Sequence, residues 1–133
     1  MWKLTGKRNG LVLGAALCGG MALNAVFAAD AAKPKFTIKE AMKQGHEGKT
    51  SLSKKVSDGM GTKEDFSKLL EYYKSMALQS PPKGELASWK EKTSALVMAT
   101  EGLVAGKDGA LAAYKTAVDC KACHTLHRPP PKK

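Results

Sequence analysis

Five residues near the end of the chain, Cys120-Lys121-Ala122-Cys123-His124, constrain its fold more than any other feature of the 133 residues. On a helix, positions three and four apart share a face, so Cys120, Cys123 and His124 would project together. Two thiols at that separation can add across the two vinyl groups of a haem, each S–H becoming a C–S and a C–H bond. The imidazole beside them can bind the iron from the same side. Cys-x-x-Cys-His is the spacing of c-type haem attachment. The expected cofactor is therefore one covalent haem c, with Cys120 and Cys123 as thioethers and His124 as proximal iron ligand. A chain that holds such a group has to fold around a large, flat, mostly apolar body.

Two other chemistries use paired cysteines. A thioredoxin-like redox pair belongs in a βαβ setting, and no strand pattern precedes this motif. A structural zinc site needs about four ligands in a tetrahedron. Cys120, Cys123, His124 and His127 supply four donors, but eight residues of one helix cannot wrap one ion without unwinding.

The start of the chain sets the compartment. Met1 to Gly10 carries Lys3, Lys7 and Arg8 and no acid, Leu11 to Phe27 is apolar, and Val26-Phe27-Ala28 offers small residues at a cleavage spacing. That is the layout of a secretory signal peptide over 1–28, cut near Ala28. Export to the periplasm and no stable membrane association after cleavage are expected. Cys18 lies in the apolar region behind Leu17, which is not the small residue a lipoprotein signal requires. Cys120 and Cys123 are then the only cysteines of the exported chain. Loss of the leader takes the 22 basic residues to 19 against the same 12 acidic ones, a net charge of +7. The lysines are scattered among glutamates, so the charge favours docking to acidic proteins and not to nucleic acid.

After a linker over 29–35, the pattern over 36–128 is helical. Ile38, Ala41, Met42, Gly45, Leu52 and Val56 recur at spacings of three, four and seven, predicting a first helix from Thr37 to the Gly59–Gly61 stop. Thr62 with Asp65 resembles a capping box for a second helix, which carries Phe66, Leu69, Tyr73 and Met76. A third fits Glu85 to Ala105 around Trp89 and Leu96. A fourth, capped by Asp108, carries Leu111 and Tyr114 and runs on through the cysteines until Pro129-Pro130-Pro131 forbids it. Residues 129–133 read as a disordered tail. The expected fold class is all-α, an antiparallel four-helix bundle with one covalently bound haem, on the order of 30 Å long. Few large side chains are available for its core. Small positions at Ala41, Gly45, Gly48, Ala112 and Ala113 are expected to leave the room a haem would fill.

A haem motif on the last helix of such a bundle resembles the class II c-type cytochromes, which comprise cytochrome c-prime and its low-spin relatives. Cys120-Lys121-Ala122-Cys123-His124-Thr125-Leu126-His127-Arg128 is similar to their terminal stretch, and the likeness covers roughly residues 36 to 128. The family divides at the sixth iron position. Cytochrome c-prime leaves it empty, whereas the low-spin relatives fill it with a methionine of the first helix. The run Ile38-Lys39-Glu40-Ala41-Met42-Lys43 is similar to the methionine-bearing pattern, which implies Met42 as distal ligand. His46, four residues on and one turn away, is the rival. Met60, Met76 and Met98 come into question only if the helix register is misread. His127, three residues beyond His124, is expected on the surface or beside a propionate. Arg128 and Lys121 are propionate partners by charge.

A periplasmic mono-haem carrier of electrons through a His/Met-ligated iron is the leading expectation. No base, nucleophile or substrate-polarising set accompanies the motif, so an enzyme is not expected. Partners would be redox proteins with acidic docking surfaces; members of the resembled family often pair through helix faces, which leaves a homodimer open. Two alternatives stand beside this one. The first is a five-coordinate, cytochrome c-prime-like binder of nitric oxide or carbon monoxide. The second is a non-haem helical module whose cysteines form a disulfide or bind a metal.

Overall fold

The structure, a computed structural model, describes residues 32–133. The signal peptide, its cleavage point and Cys18 lie outside the described residues. Within them the fold is all-helical, with no strand. Six helices pack around one core: α1 (Ile38–His46), α2 (Leu52–Ser57), α3 (Lys63–Ala77), α4 (Leu86–Val104), α5 (Ala110–Ala117) and α6 (Cys120–His127).

Two of the four expected helices are each broken in two. The first stops at His46, because Glu47 is extended and Gly48 takes a left-handed φ of 89°. Ser51 then starts α2 by accepting from the Lys54 backbone N–H. A serine that satisfies a free helix N–H competes with continuing the helix through a glycine. The hydrophobic period hid this break, since Gly45 and Leu52 are seven apart and stay in phase across the turn. The last helix breaks at Val118–Asp119, where the Asp119 carboxylate accepts from the Ala122 N–H and caps α6 just before the first cysteine. The cap of α5 is Gly109 and not Asp108.

The other termini follow the sequence. Thr62 and Asp65 form a complete capping box on α3, as do Thr37 and Glu40 on α1. Glu85 and Ala105 cap α4. The core joins Val56, Leu69, Tyr72, Tyr73, Trp89 and Tyr114, each at most 2% exposed. Trp89 Nε1 donates to the carbonyls of Met76 (3.2 Å) and Gln79 (2.8 Å), so the tryptophan satisfies orphan acceptors at the end of α3 while filling the interior.

The packing pairs position the site. α3 packs on α4, α4 on α5, and α1 on α2 and α3, while α6 reaches the body of the protein through α4. α1 and α6 are not packed on each other. No helix among the described residues is long and apolar enough to cross a membrane.

Candidate functional site

The gap between α1 and α6 is a largely apolar cleft of about 960 Å³. From α1 it takes Ile38, Met42 and His46, and from α6 Cys123, His124 and His127. That volume lies at the upper end for small-molecule and cofactor pockets. Residues some eighty positions apart in sequence thus face one space. Met42 is half-buried and packs against the core, while His124 is exposed.

The two cysteines differ. Both are free thiols. Cys123 lies on the cleft wall, and burial pushes its thiol up from the ordinary value. Cys120 occupies the first position of α6, is exposed, and directs its S–H to the Val118 carbonyl at 3.4 Å. It is not part of the cleft wall. Burial pushes the Tyr73 and Tyr114 phenols up from their ordinary value, with Cys120 adding a smaller contribution.

His127 is neither a surface residue nor free to meet a propionate. It is 2% exposed, its ring meets Trp89 edge-on at 5.3 Å, Nδ1 lies 3.0 Å from the Lys83 carbonyl, and Nε2 lies 3.2 Å from Ser88 Oγ. A carbonyl only accepts, so Nδ1 carries the proton and Nε2 accepts from the serine hydroxyl. The three-residue offset from His124 that sequence reasoning used is correct; it turns His127 inward against α4, where it anchors α6. Cys120, Cys123, His124 and His127 do not converge, and no three His, Cys, Asp or Glu side chains among the described residues are arranged to hold a metal ion.

His46, the rival to Met42, closes α1, lines the same cleft and is largely enclosed. Its Nε2 lies 3.0 Å from the Tyr73 hydroxyl. Burial, reinforced by the neighbouring His124 charge, holds His46 down at about 4 against an ordinary 6.5. Between those values the unfolded chain binds the proton and the folded chain does not. Stability is therefore present above pH 6.5 and falls as the pH drops toward 4, by at most about 3 kcal/mol. Urea unfolding at stepped pH should show that slope, and His46→Gln should flatten it.

Further differences concern the room in the site. Gly45 does not open the cleft; a side chain there would meet Tyr72 at 3.2 Å, so the glycine lets α1 lie close on α3. Gly48, Ala112 and Ala113 are exposed. The space comes instead from the separation of α1 and α6. Pro129, Pro130 and Pro131, expected to be a free tail, form part of the cleft wall. Met76, buried on α3, also lines the cleft, whereas Met60 and Met98 are exposed. Lys39, Lys43 and Arg128 line the cleft together with one acid, Glu47, while Lys121 is exposed and off its wall.

Comparison of the chain with protein-family models, with curated proteins and with solved structures found no match.

Proposed function

We propose that this protein is a periplasmic carrier of electrons with a single haem c in the cleft between α1 and α6, in the manner of a low-spin class II c-type cytochrome. One observation carries the reading: the cysteine–histidine helix and the Met42 face of α1 stand across one large apolar cleft without packing on each other. Two helices left apart in a protein this small would expose apolar surface to water, and a flat apolar group between them removes that surface. The donor set suits haem. Cys123 and His124 line the cleft from α6, the free Cys120 thiol sits at the start of the same helix, off the wall, and the Met42 thioether lines the cleft from α1. In bundle terms, α1 with α2 and α5 with α6 are broken legs beside the continuous α3 and α4.

When bound, the haem supplies a reversible one-electron couple. The chain's own residues do the rest. Cys120 and Cys123 would tether the group, and His124 would hold the iron. Met42 offers a soft, neutral donor that favours the ferrous state and raises the potential. The half-buried Met42 side of α1 and the three prolines would wall two sides of the group. The basic residues Lys39, Lys43 and Arg128 suit the propionates and an acidic partner docked at the cleft mouth, with salt-sensitive association.

Two measurements test this. Full-length protein, exported alongside a cytochrome c maturation system, should carry one haem per chain that survives denaturation, read as the pyridine haemochrome. A chain without covalent haem defeats the reading. The loaded protein should be low-spin with a methionine–iron charge-transfer band that Met42→Ala abolishes. A high-spin spectrum unchanged by that substitution would instead support the open-site gas binder.

A further inference from the structure

The two walls of the cleft do not pack on each other, so their separation has to be set elsewhere. Met76, Pro82 and Trp89, from the corner where α3 gives way to α4, also line the cleft. Behind that corner, off the cleft wall, lies the half-buried Gln79. Its side-chain nitrogen is 2.8 Å from the Phe36 carbonyl and 2.7 Å from the Ser75 carbonyl. Carbonyls only accept, so the two hydrogens of one amide are spent on two oxygens. The first of these bonds fastens the residue before the Thr37 cap of α1 to the end of α3. The Phe36 ring, edge-on to Tyr72 at 4.8 Å, and the Lys35 N–H, 3.2 Å from Ser75 Oγ, hold the same stretch. The far end of α1 is fixed separately, by the close approach of Gly45 to Tyr72.

The backbone of Gln79 serves the opposite wall. Its carbonyl accepts from Trp89 Nε1 at 2.8 Å, and an indole nitrogen can only donate. The Trp89 ring meets His127 edge-on at 5.3 Å, and both residues are 2% exposed. His127 in turn anchors α6 through the Lys83 carbonyl and Ser88. Phe36, Gln79, Trp89 and His127 thus connect the start of α1 to the end of α6 through one corner. Loss of the Gln79 amide would leave the Phe36 carbonyl without that donor and the start of α1 without its tie to the corner.

We infer that Gln79 is the positioning residue that fixes the separation of the two cleft walls, and so presets the distance between Met42 and His124 before any group enters. The separation is a property of the chain alone; its use in holding Met42 to an iron rests on the haem reading above. Gln79 is not on the cleft wall; it acts through Phe36 and Trp89.

The first measurement needs no haem. In exported protein carrying Cys120→Ala and Cys123→Ala, nitroxide labels at Lys39→Cys and Thr125→Cys, both exposed positions, report the distance across the cleft by pulsed electron paramagnetic resonance. One narrow distribution is expected. Gln79→Ala should broaden it, and so should Gln79→Glu, which keeps the shape but sets a carboxylate against two carbonyls. Thr100→Ala removes a buried hydroxyl bond within α4, away from the cleft, and should destabilise the protein without changing the width. A Gln79→Ala distribution no broader than that of Thr100→Ala, or a broad one in the parent, overturns the inference. In the haem-loaded, full-length protein, Gln79→Ala should keep one covalent haem per chain and lose most of the methionine–iron band, whereas Thr100→Ala keeps both. A full band in Gln79→Ala overturns the inference and leaves the haem reading standing. If the wild type takes up no covalent haem, the haem reading falls and the label distances alone decide: broadening in Gln79→Ala supports the brace, and an unchanged width overturns it. Should Gln79→Ala fail to fold, proton exchange in the wild type decides. Slow exchange of the Gln79 side-chain amide and the Trp89 indole supports the brace, and exchange of that amide at the rate of an exposed one overturns it.

Discussion

A Gly84→Ala protein should unfold about 3 kcal/mol more easily than the wild type, more than any other single methyl addition at an exposed loop position is expected to produce. Gly84 lies in the connection between α3 and α4 with φ at +83°, a conformation that disfavours a side chain by roughly 1–2 kcal/mol on its own. A Cβ there would stand 2.6 Å from the Leu126 carbonyl oxygen and 3.0 Å from His127 Nδ1. Neither can yield cheaply. One is backbone, and the other is an imidazole nitrogen fixed 3.0 Å from the Lys83 carbonyl. The added methyl therefore has to push the end of α6 away from the body, loosening the helix that carries Cys123 and His124. Urea unfolding of wild type and variant, with matching m values, measures the effect. A loss below about 1 kcal/mol would mean that the loop and α6 separate freely.

His127→Ala should cost about 2–3 kcal/mol for a different reason. The substitution removes an edge-on aromatic contact with Trp89, leaves a cavity at a 2% exposed position, and takes one partner each from the Lys83 carbonyl and the Ser88 hydroxyl. His127→Phe keeps the ring and loses only the hydrogen bonds, so it should fall between wild type and alanine. Gly84→Ala and His127→Ala both act by releasing α6, and the double variant should lose less than the sum of the two. Full additivity would show that they damage separate parts of the molecule. On the proposed haem reading, the same variants should also weaken a methionine–iron band, since α6 would no longer hold His124 in place across the cleft from Met42.

These predictions turn on residues that sequence reading misjudged or did not raise. His127 looked like a surface neighbour of His124 because helix periodicity gives the angle between two residues on one helix and says nothing of what each angle faces. α6 is short, and the side of it that meets α4 is decided by the loop at 83–84, which no local pattern reveals. Tyr73 and Tyr114 were legible as core residues from their spacing. That their hydroxyls form one rail with His46 and Ser53 was not, because those residues come from four separate helices. Gly48 beside Ser51 was a readable break signal, overridden in the sequence reading by an apolar period that stays in phase across the turn.

By itself, the sequence determined what depends on near neighbours along the chain. The all-helical class follows from apolar residues recurring at helical spacing. The capping boxes at Thr37–Glu40 and Thr62–Asp65 follow from side chains that reach only three residues. The thiol and imidazole chemistry of Cys120, Cys123 and His124 is a matter of residue type and spacing. Only the tertiary structure decided what lies across from that motif. It left α1 and α6 apart, put Met42 and His46 on the facing wall, turned His127 inward and drew the terminal prolines to the cleft. Those outcomes come from packing and from the pairing of buried polar groups between distant helices, where burial energy and hydrogen-bond satisfaction act without regard to sequence separation.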